Sequence, residues 1–211
     1  MSKRDGKSKS RVFLQLAGAF GILGSTLSLG LVLLATFLST WFSWNVNALS
    51  ELGVGDQAAL FNSAVLLGGV LSLLFDFGLH KYLGREKVIR VGVVSLMLSS
   101  VSLALIGIFT IKYLVPHGIV ALSFFVLAPV GFLLIGTGTR DGTIRKLSFA
   151  CGVAALLTIV GLPLIALALP FKVGIAVPEL AESLAISVWT IYMSATLLLQ
   201  PQSKRQIENQ T

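Results

Sequence analysis

The sequence IVALSFFVLAPVGFLLIGT, residues 119–137, decides the fold class of this chain. It contains no aspartate, glutamate, lysine or arginine, and its length is close to the roughly 20 mostly apolar residues with which an α-helix crosses a bilayer. A helix on the surface of a soluble domain would instead carry polar residues along one whole face. The stretch therefore predicts a transmembrane helix.

Five more apolar runs accompany this one along the chain. Together they give six predicted spans: residues 12–38, 58–77, 91–111, 119–137, 147–169 and 180–199. Of the 211 residues, 55% are hydrophobic and only 12% are charged, and the mean hydropathy is +0.90. A soluble domain carries roughly 25% charged residues, so this composition excludes a water-soluble fold. The predicted fold class is all-α, an integral membrane bundle of six transmembrane helices.

The basic residues predict the orientation of the bundle. Of the 16 lysines and arginines, all except Lys112 and Lys172 fall in the N-terminal segment, in the second and fourth connections or in the C-terminal segment. Basic loops stay on the cytoplasmic side, so both termini are predicted to be cytoplasmic. Residues 1–11 are predicted to be a disordered basic tail, residues 12–199 the transmembrane domain and residues 200–211 a second cytoplasmic tail.

The formal net charge of +7 also bears on the partners of the protein. A basic excess is typical of nucleic-acid-binding proteins, but membrane orientation already accounts for it here, and no nucleic-acid partner is expected. The basic cytoplasmic rim is expected to contact membrane lipids, including anionic headgroups.

Polar residues from four separate segments lie at the predicted outer end of the bundle. The first outer connection contains a serine–glutamate–leucine–glycine turn, the second span begins with an asparagine, a histidine opens the fourth, and two glutamates open the sixth. We therefore predict an outward-facing polar pocket lined by five candidate residues: Glu51, Asn62, His117, Glu179 and Glu182.

The sixth span adds a polar stripe to this pocket. Its polar residues recur at intervals of three or four and so share one helical face: Glu179, Ser183, Ser187, Thr190 and Ser194. A polar face on a lipid-embedded helix points toward protein or a cavity rather than toward lipid. The sixth helix is therefore expected to line the interior.

A structural interpretation competes with the pocket. Carboxylates in the first turn of a helix are stabilised by the helix dipole, which would explain Glu179 and Glu182 without a ligand. His117 would then satisfy a loop, and Asn62 would bond a neighbouring helix. No metal site is expected, because only one histidine lies at this end and no ligand motif is present. No cofactor is expected either, because Gly136-Thr137-Gly138 lacks the lysine of a phosphate-binding loop.

Several short motifs occur in an order that resembles a known family. They are Ser50-Glu51-Leu52-Gly53, Phe61-Asn62, His117-Gly118, Ala121, Phe124-Phe125, Pro129 and Pro178-Glu179. In this order they resemble the prokaryotic membrane family called domain of unknown function 998 and, more distantly, the six-span DRAM/Frag/Sfk proteins. The resemblance implies a six-helix bundle in a prokaryotic plasma membrane. The distant relatives are linked to lipid handling and glycolipid-anchor maturation, which implies a role with lipids.

Three functional hypotheses follow. The first is a non-enzymatic membrane protein that binds lipid or an amphipathic ligand in the outward-facing pocket. The second is a membrane-embedded lipid hydrolase or acyl-transfer enzyme, in which His117 acts as general acid and base with Glu51 or Glu179. The third is an accessory subunit of a larger membrane complex. Contact between His117 and these carboxyl groups would favour a chemical site, whereas their separation would favour the structural interpretation.

Overall fold

Long α-helices make up nearly all of the described chain. The computed structural model describes residues 3–83, 86–161 and 174–199, and these contain no β-strand. The helices are α1 (Lys3–Leu38), α2 (Ala58–Leu83), α3 (Lys87–Ile106), α4 (Leu114–Gly138), α5 (Gly142–Leu156) and α6 (Ala176–Leu198). A short 3₁₀ helix, Leu49–Val54, lies between α1 and α2, and a π-helical turn, Leu157–Gly161, continues α5.

Six helical segments are long and apolar enough to cross a membrane. They are Ser8–Leu38, Ala58–Leu83, Lys87–Ile106, Leu114–Gly138, Gly142–Gly161 and Ala176–Leu198. The predicted all-α fold with six membrane-spanning helices is confirmed, and the chain is an integral membrane protein. Residues 162–169 of the fifth predicted span and the predicted tail 200–211 lie outside the described residues.

The helices do not end where the apolar runs end. α1 begins at Lys3, so it includes most of the segment for which the sequence predicts disorder. That segment contains no proline, and lysine and arginine are good helix formers that can prolong a helix already nucleated in the apolar part. α2 likewise continues past residue 77 to Leu83, because long basic side chains near a helix end can reach the membrane surface.

The six helices form a closed ring in chain order. Each helix packs against the next one along the chain, and α6 closes the ring by packing against both α5 and α1. We call the end at which residues 39–57 connect α1 to α2 the outer end, and the opposite end the inner end. Short connections between antiparallel neighbours produce this order.

The α3–α4 pair illustrates how the ring is held together. A Cβ atom added to Gly92 would lie 2.9 Å from the carbonyl oxygen of Gly131, so the two backbones approach more closely than side chains would permit. Ser95 and Ser99 of α3 donate hydrogen bonds of 2.7 and 3.0 Å to carbonyl oxygens of α4. Small residues and interhelical hydroxyl bonds are the usual means of helix association in lipid.

The first outer connection folds back onto the bundle. Leu49 and Leu52 are buried, and Phe42 packs edge-on against the ring of Trp44, with 5.3 Å between the ring centroids. The backbone N–H of Ala176 donates a 3.0 Å hydrogen bond to the carbonyl oxygen of Asn47. The connection therefore covers the outer end of the helices.

Candidate functional site

A cavity of about 130 Å³ lies within the helix ring. Its walls include members of two hydrophobic clusters, one around Phe132 and Trp189 and the other around Leu52 and Phe124. Glu179 and Thr190 both line it. These residues are eleven positions apart on α6, or about 16 Å along the helix axis. The cavity is therefore long and narrow and runs from the outer end into the inner half of the bundle.

The lining of this cavity is amphipathic. Hydroxyl groups come from α1, α2, α3 and α6: Ser25, Ser28, Ser72, Ser99, Ser100, Ser183, Ser187 and Thr190. Aromatic rings come from α2, α4 and α6: Phe75, Phe124, Phe125, Phe132 and Trp189. The stripe predicted on α6 accounts for four of the polar contacts, because Glu179, Ser183, Ser187 and Thr190 all face the cavity. Ser194, the last residue of that stripe, is fully buried and lies against Gly21 of α1 instead.

Asp76 is an almost completely buried carboxyl residue and is not among the candidates predicted from the sequence. It lies in the inner half of α2, is 2% exposed and lines the cavity. Ser100 of α3 donates a hydrogen bond of 2.6 Å from its Oγ to Oδ2 of Asp76. A signal was present in the sequence, since Asp76 is a carboxyl inside an apolar span, and such groups are rare and usually functional.

Glu51 and Glu179 both accept hydrogen bonds from the outer connection. Glu51 accepts hydrogen bonds from the backbone N–H of Ala48 (2.9 Å) and from Nδ2 of Asn47 (2.7 Å), which completes the start of the 3₁₀ helix. Glu179 of α6 accepts a 2.6 Å hydrogen bond from the next backbone N–H, that of Leu49. The two carboxyl groups are close enough to interact electrostatically. Only Glu179 also lines the cavity.

His117 and Asn62 are bonded to backbone carbonyl groups at the outer end. Nδ1 of His117, in the first turn of α4, lies 2.8 Å from the carbonyl oxygen of Phe109. A carbonyl oxygen only accepts, so Nδ1 is the donor, and in a neutral ring Nε2 remains as an acceptor. Asn62 donates from Nδ2 to the carbonyl oxygen of Gly53 at 3.0 Å. His117 lines the cavity, whereas Asn62 does not.

Glu182 lies apart from the other candidates. It is fully buried on α6, and neither of its carboxyl oxygens has a hydrogen-bond partner among the described residues. It is not part of the cavity lining. Of the five sequence-predicted candidates, His117 and Glu179 line the cavity, whereas Glu51, Asn62 and Glu182 are not part of its lining.

A family model described as "Protein of unknown function (DUF998)" matches residues 22–196 of the chain. The chain belongs to the DUF998 family. No curated protein and no solved structure matches it. The more distant resemblance to the DRAM/Frag/Sfk proteins stays a prediction.

The DUF998 region contains the whole cavity. Every residue that lines the cavity, from Gly24 to Thr190, falls inside the matched range. A second concave surface, lined by Phe13, Phe20 and Lys81 among others, includes α1 residues that precede this range. The cavity is therefore the main candidate functional site within the family region.

The acidic and basic side chains at the outer end of this DUF998 cavity are not joined to one another. Neither a hydrogen bond nor an ion pair links His117 to Glu51 or Glu179: His117 is bonded to the carbonyl oxygen of Phe109, whereas Glu51 and Glu179 are bonded to the outer connection. The described residues contain no group of three or more histidine, cysteine, aspartate or glutamate side chains that could hold a metal ion. What remains is an apolar and hydroxylated channel with one carboxyl group near its inner end.

Proposed function

We propose that this DUF998 protein binds an amphipathic ligand in the cavity between its helices. The observation that carries the proposal is the mixed lining of a single cavity, where serine hydroxyls and Asp76 share the walls with aromatic rings. Ligand sites are typically apolar hollows with a few placed polar groups. The Asp76 carboxyl fits this pattern, because a buried ionisable group within a membrane span is rarely retained without a function.

The ligand enters from the outer leaflet, between α1 and α6. Ser28 of α1 and Ser183 and Ser187 of α6 line the cavity and are only partly buried. Nearer the inner end the same two helices are in tight contact, since a Cβ atom on Gly18 would lie 2.6 Å from the carbonyl oxygen of Ser194. We infer that the entrance lies on the outer half of this helix pair, because the inner half is closed.

A membrane-embedded hydrolase or acyl-transfer enzyme is a weaker proposal. It requires His117 to activate a nucleophile with help from Glu51 or Glu179, and general acid–base catalysis requires hydrogen-bond reach between such groups. Here Glu51 and Glu179 are bonded to the outer connection, and His117 is bonded to the carbonyl oxygen of Phe109. No observation on the described residues favours a role as an accessory subunit over ligand binding.

The orientation and lipid partners form the second part of the proposal. Both termini lie in the cytoplasm of a prokaryotic cell, whose plasma membrane holds the protein. At the cytoplasmic end, α1 and α2 border an apolar groove, lined by Phe13, Leu16, Ala17, Phe20, Leu74, Phe77 and Lys81. Nζ of Lys81 lies 4.8 Å from the centroid of the Phe13 ring. This cation–π contact holds the positive charge of Lys81 at the groove. An anionic lipid would fit here with its acyl chain in the groove and its headgroup on Lys81.

Intrinsic fluorescence provides a test of the cavity proposal. Trp189 lines the cavity, and Trp41 and Trp44 do not, so a Trp41→Phe/Trp44→Phe variant in nanodiscs reports on the cavity alone. We expect saturable fluorescence changes with at least one single-chain amphiphile. Ser187→Phe fills the cavity and abolishes them, whereas Val188→Phe on the exposed face of α6 does not. Equal responses in these two variants would refute the proposal.

A further inference from the structure

We propose that the group held in the cavity is a small organic cation, an ammonium head whose charge is balanced by Asp76. This inference rests on the proposed function, because it names the chemical class of the ligand that the cavity takes. It assigns to Asp76 the role of charge recognition and to the surrounding rings and hydroxyls the role of shape recognition.

The first argument for a cationic ligand is the charge of the cavity lining. The described lining contains two carboxyl groups, Asp76 and Glu179, and one imidazole, His117, but no lysine and no arginine. Glu179 is already occupied by the backbone N–H of Leu49 at the outer end. The Asp76 side chain receives a neutral hydroxyl, that of Ser100, and no positively charged side chain stands beside it in the lining. A buried carboxyl group is either protonated or paired with a positive charge, and a cationic ligand would provide that charge and favour the carboxylate form.

The second argument is the aromatic rings of the cavity lining. Phe75 precedes Asp76 on α2 and is almost completely buried, and the rings of Phe132 and Trp189 stack with 4.5 Å between their centroids. Trp189 is held in place by a 2.8 Å hydrogen bond from its Nε1 to Oγ of Ser148 on α5. Aromatic faces attract cations, and aromatic cages are a recurrent binding site for quaternary ammonium groups.

The third argument is the size of the cavity, which limits the size of the bound group. A cavity of about 150 Å³ can hold one benzene molecule, so the observed volume of about 130 Å³ holds a compact group and not a whole phospholipid. A trimethylammonium or primary ammonium head fits within that volume. The remainder of an amphipathic molecule would then extend through the gap between α1 and α6 toward lipid. An anionic head of similar size at this position is disfavoured because it would face the Asp76 carboxyl group.

Three probes with the same dodecyl chain test this inference on the whole protein in nanodiscs. They are dodecyltrimethylammonium, its uncharged analogue with a tert-butyl group in place of trimethylammonium, and dodecanoate. In the Trp41→Phe/Trp44→Phe background, we expect dodecyltrimethylammonium to bind at least about tenfold more tightly than the uncharged analogue. Asp76→Asn should remove this preference while leaving the affinity for the uncharged analogue unchanged.

The outcomes separate the two proposals. If the charged and uncharged probes bind equally, and Ser187→Phe abolishes both, the cation inference is wrong and binding in the cavity stands. Tighter binding of dodecanoate would overturn the cation inference in the same way. If no probe gives a response that depends on Ser187, the inference and the proposed function both fail. The comparison of probes on the unsubstituted cavity needs no change at Asp76, so poor folding of Asp76→Asn would not obscure the result.

Discussion

The backbone N–H of Leu49 donates a 2.6 Å hydrogen bond to Oε2 of Glu179, although 130 residues separate them in the sequence. Leu49 begins the 3₁₀ helix of the outer connection, and Glu179 lies in the first turn of α6. The bond therefore fixes the cover of the bundle to the helix that carries the polar stripe. Because both residues also line the cavity, the same contact lies at the outer end of the cavity.

Removal of the Glu179 acceptor should loosen this cover. A buried hydrogen bond to a charged group contributes about 1.5–3 kcal/mol, so we expect Glu179→Ala to lower the free energy of unfolding by roughly that amount. Glu179→Gln retains a carbonyl oxygen as acceptor and should have a smaller effect. Unfolding in detergent with a denaturant series measures both, and Glu86→Ala, at an exposed position before α3, is the control. Equal stability of the Glu179→Ala and Glu86→Ala variants would contradict the prediction.

The α3–α4 crossing should be sensitive to a single methyl group. A Cβ atom on Gly131 would lie 2.8 Å from the carbonyl oxygen of Gly92, whereas one on Gly118 of the same helix would have no neighbour within 4 Å. We expect Gly131→Ala to destabilise the protein by about 1–3 kcal/mol through overpacking. Gly118→Ala should be neutral or stabilising by up to about 1 kcal/mol, since alanine favours a helix. Thermal unfolding of the two variants decides, and a similar loss in both would disprove the role of the crossing.

Hydropathy and charge predicted the six-helix fold because the bilayer directly determines which segments must be apolar and where charged residues can lie. Apolar runs such as residues 119–137 have no other stable location, and this fixes the helix count and class without knowledge of packing. Helix ends were less predictable, since α1 continues through a polar basic segment to Lys3. A bilayer stabilises apolar side chains, but it does not end a helix that extends beyond the membrane.

Part of the cavity lining was predictable from the sequence. The spacing of Ser183, Ser187 and Thr190 located the lining face of α6, because helical periodicity is a local property of the sequence. Which polar groups meet across helices is not local. Asp76 and Ser100 are 24 residues apart on different helices, and their contact depends on the rotation of α2 and α3, which the sequence pattern leaves open. Asn62 and Glu51 share the membrane level of the cavity but bond to the outer connection instead.

The Asp76–Ser100 pair should show energetic coupling. We expect the double-mutant cycle of Asp76→Ala with Ser100→Ala to give an interaction energy of roughly 0.6–1.7 kcal/mol, which spans the average and the maximum for side-chain hydrogen bonds between membrane helices. The cycle of Asp76→Ala with Ser102→Ala serves as the control, because the Ser102 hydroxyl donates to Leu98 of its own helix. Unfolding free energies of the single and double variants give both values. Additive effects for Ser100 would mean that the bond contributes nothing net.

The predicted orientation can be tested with two single cysteines. In a Cys151→Ala background, which removes the only native cysteine, Asp56→Cys should react with a membrane-impermeant maleimide in intact cells. Ser8→Cys should react only after permeabilisation, because the basic N-terminal segment is retained in the cytoplasm. The reverse pattern of labelling would show that the bundle is inverted, and the outward entrance proposed for the ligand would then face the cytoplasm.

The groove beside Lys81 should select anionic phospholipid. Its walls are apolar except for Lys81, so headgroup charge is expected to act through this one residue, and a juxtamembrane basic residue contributes about fivefold in affinity for anionic lipid. Native mass spectrometry with phosphatidylglycerol or phosphatidylcholine measures the lipid that remains bound. Lys81→Gln should reduce bound phosphatidylglycerol by about that factor and leave phosphatidylcholine unchanged. Lys87→Gln, at an exposed position outside the groove, should retain the preference for phosphatidylglycerol. If the two substitutions have the same effect, the basic rim attracts anionic lipid as a whole and the groove is not a defined site.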